Sequence, residues 1–423
     1  MSLYTEGQNI NLGASQNTSF FTNADWVSSL VVRSSSEVGS TKISPKEKVA
    51  IVHEWLSTKA GSEKVTECLI NLLQNVEVYS TVDFMSKADR KAVMGDRFPK
   101  TTFIQKLPMA RRHFRYYLPI FPFAVRSHNL RNHSLIISSS HAFAHGIKTR
   151  PGQLHISYSH TPMRYIWDMQ ELYLESNNLN KGPLAIGSKL LTSILRKWDA
   201  RVSKNVDYYI SNSKFTAQRI KSFYGREAHV IYPPVEVDRF ELQAEKEDFY
   251  VSASRLVCYK KVELLVEAFN KMPEKKLILI GDGNSKSLIE KIAGPNITVL
   301  SHLAFPEFRS YMSKAKAFVF AGKEDFGITL VEAQACGTPV IAFGEGGAAE
   351  IVKDQETGVL FQEQSCESLM EAVIDFEQNF EPNYSPALVR QNAERFSLER
   401  FNREVLDFIK TCLSEKESSK PKS

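Results

Sequence analysis

Two carboxylates, Glu324 and Glu332, are spaced acid-x7-acid around Asp325-Phe326-Gly327-Ile328-Thr329. The apolar run Ala317 to Phe320 ahead of them reads as a buried strand, and the residues past Gly327 read as a helix ending near Cys336-Gly337. Such a strand-to-helix turn puts Glu324 and the first helical N–H groups at the carboxyl edge of a sheet, where open α/β sheets bind ligands. Unpaired amides at the positive end of a helix dipole suit a phosphate or diphosphate. Glu332 falls about a turn and a half beyond Gly327, so the two carboxylates can address opposite ends of one elongated ligand. A sugar diphosphonucleoside fits: one acid near the sugar hydroxyls, amides on the diphosphate, the other acid on a ribose diol. Two acids alone also fit a plain surface position and a helix-start position, each favourable near a dipole.

The elements that must hold these groups alternate. Strands are expected at 249–252, 277–280, 297–300, 317–320, 340–343 and 359–361, with helical patterns between most of them. That is βαβ order, hence a mostly parallel sheet covered on both faces. A similar unit opens the first half, where Lys48 to His53 reads as a strand, a loop carries Gly61, and a helix follows from about Lys64 to Leu73. Gly61 would let backbone approach a ligand, or mark a plain tight turn. Further strands are read at 135–138, 154–158 and 206–211. The paired prolines of Val230 to Asp238 (VIYPPVEVD) suit a stiff link between two domains. These readings divide the chain into a flexible extension (1–46), two Rossmann-like domains (47–234 and 235–396), a terminal helix (397–413) and a solvated tail (414–423).

The run Glu324-Asp325-Phe326-Gly327-Ile328-Thr329, Glu332 and the trailing Ala335-Cys336-Gly337-Thr338-Pro339-Val340-Ile341 resembles the E-x7-E signature of retaining glycosyltransferases of family 4. The opening VHEWLSTKAGSEKV and the later SASRLVCYKK are similar to further motifs of that family, in the same order. The resemblance implies the α/β GT-B architecture, with two Rossmann-like domains facing across a cleft and a terminal helix crossing back to the first. It implies that Glu324 contacts the donor sugar, that Phe326, Gly327, Ile328 and Thr329 line the diphosphate, and that Glu332 holds the ribose. Arg255 and Lys260, with Lys261 as the adjacent alternative, would neutralise the leaving diphosphate. Gly61, Gly281 and Asp282 would lie beside the donor. A histidine after a first-domain strand would contact the donor sugar; His141 matches it best, with His145 as the weaker match. SHTPMRYIWD is similar to a pattern of members that transfer mannose, making His160, Arg164 and Asp168 acceptor-side or structural candidates. The resemblance thus implies GDP-mannose as donor, and a saccharide or lipid-linked saccharide of surface-polysaccharide assembly as acceptor. A UDP-sugar donor, or a non-catalytic protein with the same cleft, is the alternative.

Composition narrows the remaining classes. A net charge of +5 over 423 residues carries no nucleic-acid commitment. Five scattered cysteines without a C-x-x-C pair read as reduced cytosolic thiols, so a cytoplasmic location is expected. No secretory signal or membrane-length apolar run occurs in the sequence. The segment 103–132 interleaves Arg111, Arg112 and Arg115 with Phe114, Tyr116 and Tyr117, a pattern that can lie on an anionic membrane or form a broken helix with aromatics in the core. Gly281-Asp282-Gly283 lacks the third glycine of a dinucleotide fingerprint, which counts against an oxidoreductase. No D-x-D occurs, in agreement with a metal-independent site and no cofactor beyond the donor itself.

Overall fold

The computed structural model describes residues 48–176 and 181–418. The expected N-terminal extension, 1–46, lies outside the described residues.

Two all-parallel sheets carry the fold. The first has seven strands: β1 (Lys48–His53), β2 (Val76–Ser80), β3 (Lys100–Thr101), β4 (His133–Ser140), β5 (Leu154–Ser159), β6 (Tyr208–Ser211) and β7 (Ala228–Val230), in the order β3-β2-β1-β4-β5-β6-β7. The second has six: β8 (Glu247–Ala253), β9 (Leu277–Ile280), β10 (Ile297–Leu300), β11 (Ala315–Phe320), β12 (Val340–Phe343) and β13 (Gly358–Phe361), in the order β10-β9-β8-β11-β12-β13. Runs such as Val49-Ala50-Ile51-Val52 and Ala317-Phe318-Val319-Phe320 are buried throughout, as strands covered on both faces must be. In each sheet the order reverses once, between β1 and β4 and between β8 and β11. The loops leaving those four strands therefore open onto the two crevices where such sheets receive ligands.

The chain leaves the first domain after Ile231 and returns after Phe396, and the crossings pair with each other: the Val235 N–H donates to the Phe396 carbonyl at 2.9 Å. The returning helix, Leu398–Ser418, repeats apolar residues at Phe401, Val405, Ile409 and Cys412, one face of a 3.6-residue period. That face is buried in the first-domain core with Leu69, Ile70 and Tyr158. This is the GT-B architecture, its terminal helix crossing back as expected. The helix runs on to Ser418, five residues into the stretch expected to be a tail, because Glu415 and Lys416 gain partners on the first domain, Tyr208 and Asp207.

The segment 103–132, open in sequence between a membrane-lying stretch and a broken helix, has the broken-helix backbone. Short turns at Phe103–Lys106, Ala110–His113, Phe114–Ile120 and Phe121–Arg126 replace a continuous helix, with Pro119 and Pro122 interrupting it. Phe114 and Phe121 are core residues packed with Phe143 and Leu195. Met109, Tyr116 and Phe123 face outward. Among the described residues no helix is long and apolar enough to cross a membrane.

Candidate functional site

The second sheet brings its candidates together at the switch point. β8 leads into Arg255 and Lys260 and β11 into Glu324, and because these strands are neighbours the two loops meet. Lys260 and Glu324 form an ion pair between them. Burial, with Arg255 and Arg164 nearby, pushes the Lys260 ammonium down to about 7, while Asp325 opposes the shift. Arg255 donates to the Tyr259 hydroxyl, and the guanidinium of Arg164 lies 5.8 Å from the centre of the Tyr259 ring. Lys261, the alternative cation, takes a left-handed conformation at φ 54° and begins the helix Val262–Asn270.

The helix Ile328–Ala335 begins where the acid motif requires it. Gly327 has φ +107°, a conformation closed to residues with a Cβ, and it turns the chain into the helix. A second glycine supports the turn from behind: a Cβ on Gly347 would stand 1.9 Å from the Phe326 carbonyl oxygen. The same loop holds the Glu324 backbone, the Gly347 N–H donating to the Glu324 carbonyl at 2.9 Å. Gly346 and Gly347 thus buttress the acid loop. Phe326 is buried against Tyr232 and Phe396, whereas Ile328 faces the first domain, its Cδ1 2.8 Å from where a Cβ on Gly61 would sit. Thr329 lies in the first turn of the helix. Glu332, one turn further on, is raised to about 7 by burial and by Glu236, with Arg239 opposing. Gly281 packs on the Ser254 carbonyl, and Asp282 accepts from the His302 N–H at 3.0 Å and pairs with Lys286 at 2.9 Å.

Across the crevice, β1 ends at His53-Glu54 and β4 at Ser140-His141, again neighbouring strands. Glu54 was not singled out from sequence, although its place directly after an apolar strand marked it. Its buried carboxylate accepts N–H bonds from His141 (3.1 Å), Ala142 (2.7 Å), Phe143 (2.9 Å) and Ala144 (2.8 Å), and the Ser140 hydroxyl donates at 2.9 Å. Burial alone would raise this acid, but His141 and the Ala144, Phe143 and Ala142 amides together hold it below the usual carboxylate range. The His141 ring meets the Trp55 edge at 4.7 Å between centres, and burial pulls its pKa down, with Glu54 opposing. His145 turns the other way, onto buried Asp199 at 3.0 Å.

The SHTPMRYIWD segment bridges the domains. His160 bonds the Ser139 hydroxyl at 2.8 Å within a buried group that includes His53 and Thr66. Burial, then His141 and His53, holds its pKa well below the ordinary histidine value. Arg164 forms an ion pair with Asp325 of the second domain. Arg219 meets the same carboxylate at 2.7 Å and reaches Asp168, also at 2.7 Å, with its other nitrogen. The Thr161 hydroxyl adds a bond to Asp325 at 3.3 Å. Neither Asp325 nor Arg219 was picked out from sequence; nothing in a single chain marks a partner 106 residues away.

Two family models match the chain. One described as "Glycosyltransferase Family 4" covers residues 65–239, and one described as "Glycosyl transferases group 1" covers residues 235–394. An uncharacterised glycosyltransferase of Methanocaldococcus jannaschii is 30% identical over 182 residues, 42% of this chain and 51% of that protein. A GDP-mannose-dependent alpha-(1-6)-phosphatidylinositol monomannoside mannosyltransferase of Mycobacterium tuberculosis is 29% identical over 214 residues, 43% of this chain and 54% of that protein. The chain spans about half the length of the curated relatives it matches. Among solved structures, Anabaena HepE in complex with UDP superposes with a TM-score of 0.61 at 16% identity, covering 86% of this chain and all of that one. Sucrose-phosphate synthase of Thermosynechococcus elongatus superposes with a TM-score of 0.63 at 16% identity over 87% of this chain.

Proposed function

We propose that this chain, which belongs with the GT-B glycosyltransferases of the family 4 type by both of its matched halves, transfers a hexose from a nucleoside-diphosphate sugar to a saccharide or lipid-linked saccharide with retention of configuration. The observation that carries the reading is the convergence of Lys260, Arg255, Glu324 and the start of the helix Ile328–Ala335 at one switch point. As the bond between anomeric carbon and diphosphate breaks, negative charge collects on the departing diphosphate. Lys260, Arg255 and the helix amides oppose it with fixed positive charge. Glu324 orients the sugar and stabilises positive charge at the anomeric carbon, Glu332 accepts from the ribose diol, and His141 contacts the sugar from the first domain. The acceptor hydroxyl bonds to the anomeric carbon on the face the diphosphate leaves, and its proton passes to that phosphate. Gly281 and Asp282 border the nucleotide. These groups act without a metal.

Two donors fit. GDP-mannose is supported by the GDP-mannose dependence of the mycobacterial relative, which matches under half of this chain. A UDP-sugar is supported by the UDP complex whose fold matches over nearly the whole chain. Product formation from a panel of UDP- and GDP-sugars, with thermal stabilisation by the matching nucleoside diphosphates, separates them. Stabilisation by a sugar nucleotide without release of nucleoside diphosphate in the presence of any saccharide acceptor would instead mark a binding protein. We also place the chain in the cytoplasm, resting on the anionic membrane face through 103–132. Met109, Tyr116 and Phe123 are exposed there beside exposed Arg111 and Arg112. Flotation with anionic but not zwitterionic vesicles tests that placement.

A further inference from the structure

We propose that Asp325 is a positioning residue for Glu324, seated by two arginines of the opposite domain, so that the acid facing the sugar takes its working orientation only when the cleft is closed. The inference rests on the transferase reading above.

Glu324 and Asp325 are consecutive on a short segment that is held from two sides. From the second domain, the Gly346-Gly347 loop fixes the Glu324 backbone through the Gly347 N–H and an isolated bridge between Glu324 and Gly346. From the first domain, Arg164 and Arg219 take the Asp325 carboxylate, one on each oxygen. All three side chains are largely buried, with Arg219 and Asp325 at 7% and 12% exposed. Four charges meet there: Arg164, Arg219, Asp325 and Asp168, two of each sign. Balanced, hydrogen-bonded charges are tolerated out of water, whereas a buried carboxylate stripped of its cations is not. Asp325 is the only member of the four on the second domain. Parting the domains would return it to water and cut the last tie between the first domain and the Glu324 loop through this cluster. Arg164 carries the coupling further, since it lies over the Tyr259 ring and helps lower the pKa of Lys260, the ion-pair partner of Glu324.

A residue that merely glued the interface would affect stability and leave the reaction parameters together. A positioning residue splits them. Asp325→Asn keeps the shape and removes the charge, and Arg219→Gln and Arg164→Gln remove the partners from the other side. The expected result is a fall in kcat on the order of tenfold or more for each, with the thermal shift produced by the cognate nucleoside diphosphate retained. The double variant Asp325→Asn with Arg219→Gln should be no slower than the worse single variant, because both remove one interaction. Small-angle scattering should show that the nucleotide compacts the wild type and compacts Asp325→Asn less. A kcat for Asp325→Asn equal to wild type, or losses that multiply in the double variant, would overturn the proposal. If Asp325→Asn does not fold, Arg164→Gln, which leaves the acid loop untouched, decides it by the same criteria. Failure of the wild type to be stabilised by any nucleoside diphosphate would count against the transferase reading itself.

Discussion

The Lys260 ammonium and the Glu324 carboxylate are ion-paired across the two loops that leave β8 and β11. Under the proposed function, the cation assigned to the departing diphosphate and the acid assigned to the sugar thereby hold each other in register. Lys260→Ala removes this positive charge and should lower kcat on the order of 100-fold or more, measured as nucleoside diphosphate released in the presence of acceptor. The pH dependence supplies a sharper check. Burial lowers the Lys260 pKa from 10.5 to about 7 and the paired Glu324 carboxylate draws it back up, so in the free enzyme its charge is lost above neutrality, and kcat/KM should fall on the alkaline side. Lys260→Arg, with a guanidinium that stays charged, should move that limb upward even where its maximum rate is lower.

Glu332 gives a prediction of opposite sign in stability. Its folded pKa is raised from 4.5 to about 7, so the folded state binds the proton more tightly than the unfolded chain. The stabilisation is complete below the unfolded value and is lost as pH rises through about 7. Glu332→Gln stays neutral throughout. Urea unfolding should find variant and wild type alike in acid near the unfolded pKa, and the variant more stable above about pH 8, by on the order of 2 kcal/mol. The same variant should raise the donor KM, because a neutral amide is a poorer acceptor for the ribose diol.

Gly61 and Ile328 approach each other from opposite domains, and a Cβ at residue 61 would meet Ile328 Cδ1 at 2.8 Å. The obstacle is the end of a flexible side chain, so Gly61→Ala should fold normally and resist closure, costing about 1–3 kcal/mol in the closed state. Donor KM should rise several-fold, and Ile328→Val, which shortens the opposing side chain, should recover most of it. No recovery in the double variant would mean that Gly61 serves backbone approach to the donor instead.

The strands that matter for the site were legible because both faces of a parallel sheet are buried. β1, β9, β10 and β12 have the limits that apolar runs dictate, and the acids and cations follow β8 and β11 directly. β2 carries Glu77 as its second residue, while β3 and β7 have two and three residues, too short for a period to show. The returning helix was readable from Phe401, Val405, Phe408 and Cys412, but its length depended on partners at Tyr208 and Asp207. The same limit explains the site. Glu324, Lys260 and Glu332 sit in local motifs, whereas Glu54, Arg219 and Asp325 owe their roles to residues 51 to 164 positions away, and a spacing argument does not reach them.

Glu54 shows what such a residue contributes. Its carboxylate gathers four successive N–H groups and a hydroxyl, fixing the loop that presents His141 to the crevice. Glu54→Gln keeps the volume but sets an NH2 group against N–H donors, leaving buried donors facing one another, so a loss of about 2–4 kcal/mol is expected in chemical unfolding. Turnover should fall with it, because the His141 loop loses its anchor, while nucleoside diphosphate bound by the second domain should still raise the Tm. The sign in pH follows from the depressed pKa. A carboxylate held below its ordinary 4.5 gives stability that is present above that value and lost as pH falls through the folded pKa. Wild type should therefore lose stability in acid more steeply than Glu54→Gln, and the two unfolding curves should converge; parallel curves would place the anchor elsewhere.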